Sequence, residues 1–169
     1  MKQHQTDSAR VQSLALKLEA WVQEEIGAQR RMLDLLKRQE AAILAYRPEE
    51  VADCGQAVER ELSTVPGRER RRRDVVESLG RAWGLGSGVL TVSSVCVRLE
   101  EAGIDASRLR RMRDDLRDAT AQALRLGRRI SVLARYHGEL FEEVVGILVG
   151  SSDAAKNDQH RGALLDTQV

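Results

Sequence analysis

Side chains able to do chemistry are few in this chain, and they are scattered. The three histidines are His4, His137 and His160. None stands at the spacing of an HExxH helix or beside paired CxxC thiols, so no metal site is expected. The two cysteines, Cys54 and Cys96, each fall on or beside an apolar helical face, which reads as two buried, reduced thiols rather than a nucleophile. Adjacent carboxylates occur at Glu24-Glu25, Asp114-Asp115 and Glu142-Glu143. Neighbours on a helix point about 100° apart and do not converge as an acid and a base. Gly84, Gly86 and Gly88 sit close together, but a phosphate loop needs a preceding strand and GxGxxG spacing, and both are missing. A hinge is the expected role. No catalytic residue and no cofactor is expected, and the chain does not read as an enzyme.

Two further groups could hold a partner. Arg68-Glu69-Arg70-Arg71-Arg72-Arg73 is the densest basic run. It could grip phosphates or an acidic surface. No aromatic side chains interleave with the arginines for stacking on bases, so a solvated helix face paired in part with Glu69, Asp74 and Glu77 is the expectation. Trp21, Trp83, Tyr136 and Phe141 carry most of the aromatic area. The two tryptophans are expected to anchor a core. Tyr136 and Phe141 are five apart and project to different faces, which suits one exposed aromatic holding a partner.

The elements that must position these residues are helices. The 169 residues are 42% apolar, 31% charged and only 3% aromatic, with two prolines and a net charge of +1. That mixture fits long helices better than a sheet, and the balanced charge gives no reason to expect nucleic acid as a partner. No apolar run reaches the roughly 18 residues of a membrane span, and the N-terminus lacks the apolar region of a signal peptide. A cytoplasmic location is expected.

From about Ser8 to Tyr46, residues Val11, Leu14, Leu18, Trp21, Val22, Ile26, Leu33, Leu36 and Ile43 recur at threes, fours and sevens, an amphipathic stripe on one helix of roughly 55–60 Å. Pro48 opens a second element. It continues to Trp83 and is interrupted by Pro66-Gly67; one kinked helix is favoured there over two. A short helix is expected over Thr91 to Glu101, stopped by Gly103, although Val89-Leu90-Thr91-Val92 could also pass for a strand. Asp105-Ala106-Ser107 caps a last element that runs to about Val149 through Leu109, Met112, Leu116, Ala119, Ala123, Leu126, Ile130, Leu133, Tyr136, Leu140, Val144 and Ile147 or Leu148, the cleanest heptad-like series in the chain. Beyond Gly150 the residues turn small and polar. The expected fold is all-α: an elongated antiparallel helical bundle with coiled-coil-like long helices and a flexible C-terminal tail. Residues 1–7 form a flexible N-terminus, 8–149 the helical domain and 150–169 the disordered tail.

This layout resembles the FlgN family of flagellar type III export chaperones. The stretches that carry the likeness are LEAWVQEEIGAQRRMLDLLKRQEAAILAYRPEEV and ISVLARYHGELFEEVVGIL, and the similarity covers roughly residues 10 to 150. One departure stands out: the family often carries asparagines before the apolar end of its last helix, and Arg135 to Phe141 contains none. The resemblance implies a cytoplasmic, chaperone-like domain. Such a protein binds hook-associated proteins of the hook–filament junction, keeps them unassembled and helps deliver them to an export-gate component. It also implies that substrate binds at the C-terminal helix and tail. An apolar stripe there could cover the terminal helical segment of the substrate. The partner-binding candidates are Leu133, Leu140, Phe141, Val144, Val145 and Leu148, with Tyr136 at the edge. A homodimer is left open, and the competing expectation is a self-associating coiled-coil scaffold with no chaperone role.

Overall fold

The computed structural model describes residues 2–85 and 90–162. Side chains are described from residue 9 to residue 147, apart from 86–89, Phe141 and Val144. Among the described residues there are five α-helices and no strand: α1 (Lys2–Leu44), α2 (Pro48–Ser63), α3 (Val65–Ala82), α4 (Val92–Glu101) and α5 (Ser107–Gly162). The fold class is all-α, as the periodicity predicts. Two compact units divide the chain, Met1–Arg128 and Arg129–Val169. The first holds α1 to α4 and the start of α5; the second holds the rest of α5.

Helix α1 stops where its sequence stops supplying apolar residues at helical spacing. Tyr46 takes a left-handed conformation with φ of 54°, and the amide of Arg47 donates to the carbonyl of Ala42 at 3.0 Å. That closes the helix end and turns the chain into Pro48, the first residue of α2. Glu49 and Glu50 lie in the first turn of α2, where carboxylates complement the exposed amides.

The favoured single kinked helix over residues 48–83 is corrected to two helices that meet at Thr64. Pro66 lacks an amide proton and its ring crowds the carbonyl one turn back, so the ladder breaks. Thr64 closes the end of α2. Its amide donates to Glu61 O at 3.2 Å, and its hydroxyl donates to the same oxygen at 2.7 Å.

Helices α2 and α3 run antiparallel to α1. Rising numbers on one side meet falling numbers on the other: Glu24 pairs with Arg71, Glu25 with Arg68, and Arg31 with Glu61. The core of the first unit lies near the middle of α1. There Val11, Leu14, Ala15, Leu18, Val22 and Ile26 are buried with Val76 and Leu79 of α3, Val95, Cys96 and Leu99 of α4, and Leu109 and Met112 of α5. Both tryptophans pack against this cluster only partly buried, so they flank the core rather than fill it. A fully buried leucine contributes on the order of 2 kcal/mol by removal from water. The cluster is what holds α4 and the start of α5 to α1.

Helix α4 begins with a reciprocal cap. Thr91 Oγ1 accepts from the amide of Ser94 at 3.1 Å, and the amide of Thr91 donates to Ser94 Oγ at 2.9 Å. It ends at Gly103, whose φ is 73°, with Ile104 donating its amide to Leu99 O at 2.8 Å. Asp105 then caps α5, accepting from the amide of Ser107 at 2.9 Å.

The outer helix boundaries differ from expectation. α1 begins at Lys2 rather than near Ser8, and α5 ends at Gly162 rather than near Val149. No proline interrupts either stretch, and a lone glycine such as Gly150 costs a helix only about 1 kcal/mol.

Candidate functional site

The buried seam of α5 follows the expected series through its first half. Leu109, Met112, Ala119, Ala123, Leu126 and Ile130 are all buried, and the steps alternate between three, four and their sum. Beyond Ile130 the apolar residues continue but their burial does not. Leu133 is half-buried, whereas Tyr136 is 57% exposed, Leu140 39%, Val145 39% and Ile147 64%. The side chains of Phe141, Val144 and Leu148 lie outside the described residues.

The spacing explains part of this change. Steps from Ile130 to Leu133 and from Leu133 to Tyr136 are both three, and each falls about 60° short of a full turn. Two in succession carry Tyr136 about 120° away from the seam. The seam itself passes through position 137. The expected heptad-like series therefore mixes two faces of the helix. Leu133, Phe141, Val144 and Leu148 occupy helical positions that continue the seam, Tyr136 belongs to a second face, Leu140 lies between the two, and Val145 sits on the far edge of the seam. Val132, 56% exposed, and Ile147 share the second face with Tyr136. Sequence reasoning passed over both as site residues, although their offsets of four and eleven from Tyr136 signal a shared face.

The basic run takes another role. Arg68 is buried at 6% exposure, and its guanidinium joins three elements. Nε donates to Glu25 Oε2 at 2.8 Å, and Nη1 donates to Glu61 Oε1 at 3.4 Å and to Thr64 Oγ1. Arg31 meets Glu61 from the solvent side at 3.1 Å. Arg71 reaches Glu24 at 2.7 Å, and Arg72 pairs with Glu69. Side-chain hydrogen bonding from Arg72 holds the Glu69 carboxyl below the usual glutamate range. Glu24 and Glu25, adjacent in sequence, thus diverge to separate arginines. Arg68, Arg71 and Arg72 are committed to carboxylates of the same chain, on α1 and α2 as well as α3, beyond the pairing with Glu69, Asp74 and Glu77 that the sequence suggests. An open cleft of about 350 Å³ beside this network is lined by Glu24, Arg31, Glu61, Thr64, Gly67, Arg68 and Arg71. Its lining carries three arginines and two glutamates, and each of the three arginines is already paired with a carboxylate of this chain.

Cys54 and Cys96 are both buried free thiols. Burial pushes the Cys96 thiol up, against the smaller opposing influence of Arg113 and Arg110, so the thiolate needed for nucleophilic attack is disfavoured. Gly86 and Gly88 of the expected hinge lie outside the described residues, as do His4 and His160 as side chains. Among the described residues, no three His, Cys, Asp or Glu side chains come together as a metal-ligand group, and no helix is long and apolar enough to cross a membrane.

No family model, curated protein or solved structure matches the chain.

Proposed function

We propose that this protein is a cytoplasmic export chaperone of the FlgN type. It binds hook-associated flagellar proteins through the second half of α5, keeps them unassembled and aids their delivery to the export gate. The observation that carries the reading is that apolar side chains on that segment are left open to solvent: Leu140 and Val145 flank the continued seam, and Tyr136 and Ile147 lie on the adjacent face. A single exposed leucine needs no explanation, whereas a sequence of them along one helix suits recognition of another helix. The layout of long first helix, Pro48 boundary, short helix after a glycine-rich connector and long last helix supports the same reading.

The chemistry follows from the surface. Terminal segments of filament proteins that assemble as coiled coils expose an apolar stripe before assembly. Leu133, Leu140, Phe141, Val144 and Leu148 supply a complementary stripe, with Tyr136 and Val145 at its margins. Covering the substrate stripe removes apolar area from water, and a short helical contact remains releasable.

Isothermal titration of the full chain with terminal helical segments of hook-associated proteins tests this. One-to-one binding is expected, and Leu140→Glu should weaken it by roughly tenfold or more without loss of helical content. Absence of heat at about tens of micromolar protein would remove the reading.

A further inference from the structure

Helix α2 is attached to the first unit differently from its neighbours. The core cluster draws buried residues from α1, α3, α4 and α5 but none from α2, and on α1 it stops at Ile26. Cys54 is the one buried residue of α2, while Val51, Ala57 and Val58 are half-buried. The chain breaks at both ends of this helix. Tyr46, with φ of 54°, precedes it, and the joint at Thr64 follows it. Charge holds the joint end. Glu61 accepts from Arg31 at 3.1 Å and from Arg68 at 3.4 Å.

Beneath α2, α1 carries a second stripe. Gln39 marks its place, since its side-chain nitrogen is 4.0 Å from where a Cβ on Gly55 would lie. Met32, Leu35, Gln39 and Ala42 follow at steps of three, four and three, and so share that face. Ala42 is 2% exposed, and Met32 and Leu35 are half-buried.

We infer that α2 is a strap that swings off α1 as one unit about the joint at Thr64, with the Glu61 contacts as its latch, while the core around Leu18, Leu79 and Leu99 stays closed. An element that buries few apolar side chains opens at lower free energy than the whole fold. Opening bares Met32, Leu35 and Ala42, a stripe at the spacing that receives an amphipathic helix. In the closed state α2 is that helix, so the surface is offered only when the strap is open. The strap lies apart from the α5 segment assigned to substrate, and neither reading depends on the other.

The two thiols report the two kinds of opening. Cys54 is on the strap, and Cys96 is fully buried in the core. Reaction of the full chain with excess aromatic disulfide reagent under native conditions is the test, with mass spectrometry assigning each modified cysteine. Cys54 should react at least about tenfold faster than Cys96. Ile26→Val weakens the core and leaves the strap contacts in place. It should speed Cys96 about fivefold and leave Cys54 within about twofold of its rate. Glu61→Gln keeps the shape of the latch and removes its charge, and should speed Cys54 about tenfold. Far-UV circular dichroism should report unchanged helicity in both variants. Equal rates at the two thiols would overturn the inference, because α2 would then leave α1 only when the whole fold opens. So would equal acceleration of both by Ile26→Val, or a Cys54 rate indifferent to Glu61→Gln.

Discussion

The indole Nε1 of Trp21 donates to the main-chain carbonyl of Arg68 at 2.9 Å. This one bond ties the side of α1 to the backbone of α3 just past the break at Thr64. Arg72 lies over the same indole, with its guanidinium carbon 5.9 Å from the ring centroid, a distance at which a cation is drawn to the π face. The side chain of Arg68 meanwhile reaches back to Glu25 on α1 and Glu61 on α2. The joint between α2 and α3 is thus fixed by polar contacts, where a helix interior would use its own ladder. Pro66 removes one rung, and Trp21, Glu25 and Glu61 hold the joint through Arg68 instead.

Arg68→Ala should destabilise the fold by about 3–5 kcal/mol, because it leaves Glu25 and Glu61 half-buried beside each other without their shared cation. Arg68→Lys should recover little of the loss, since an ammonium cannot present the guanidinium fork to Glu25, Glu61 and Thr64 at once. Arg70→Ala, on an exposed position of the same run, should lie within about 0.5 kcal/mol of the unaltered protein. Urea unfolding followed by circular dichroism separates the three. Equal effects at positions 68 and 70 would contradict the assigned role of Arg68.

Cys96 gives the fold an alkaline limit. Its folded-state pKa is raised by burial, so the folded chain holds the thiol proton at pH values where the unfolded chain has released it. Stability is then fully present below the unfolded thiol value and falls as pH rises towards the folded one. Cys96→Ala should flatten this decline, at a cost in packing felt at every pH. Denaturant midpoints measured at steps from neutral pH upwards check it. A decline that persists unaltered in the variant would assign it to other groups. Buried as they are, both thiols should also react with a disulfide reagent only as fast as the bundle opens.

Much of this fold was legible in the chain because helical periodicity is a strong signal where one face is buried. Val11, Leu14, Leu18, Val22 and Ile26 on α1, and Leu109, Met112, Ala119, Ala123, Leu126 and Ile130 on α5, recur at helical spacing and are buried. Gly103 and Asp105 act as the stop and the cap that the sequence suggests, whereas Thr91, expected as the first residue of the short helix, is its cap. The α2–α3 joint was not legible, because a proline within a helical pattern fits both a kink and a break. What decides between them is a set of contacts to residues about 40 positions away. The role of Arg68 was hidden for the same reason. Nothing local distinguishes it from Arg70 to Arg73, and only the folding of α1 against α3 brings it to Glu25. In the candidate site the apolar residues could be found, but their division into two faces could not. Steps of three and four satisfy a heptad template individually even when their sum drifts.

Asp105 sets an acid limit. Its carboxyl is held below the usual aspartate range by the amide of Ser107 first and the hydroxyl of Ser107 second. A depressed pKa contributes stability above the unfolded value, and this contribution is lost as pH falls through the folded one. Asp105→Asn keeps a capping oxygen but cannot titrate. Its melting temperature should therefore change less between pH 6 and pH 3 than that of the unaltered protein. Identical acid dependence in both would show that the Asp105 cap does not contribute to it.

Gly138 and Gly103 make an opposed pair that tests the helical assignment in the second unit. Gly138 lies inside α5, and a Cβ built there meets nothing within 4 Å. Gly138→Ala removes backbone freedom from the unfolded chain at no steric cost, and should stabilise α5 by about 0.5–1 kcal/mol. At Gly103 a Cβ also meets nothing within 4 Å, but φ is 73°, a conformation that costs an alanine roughly 1–2 kcal/mol. Gly103→Ala should therefore destabilise the turn between α4 and α5. The same substitution has opposite signs at the two positions, because backbone geometry rather than available space decides it. Thermal melts of the two variants read both signs, with helicity at 222 nm rising only for Gly138→Ala. A loss of stability at Gly138 would mean that α5 is not helical there, or that something covers it.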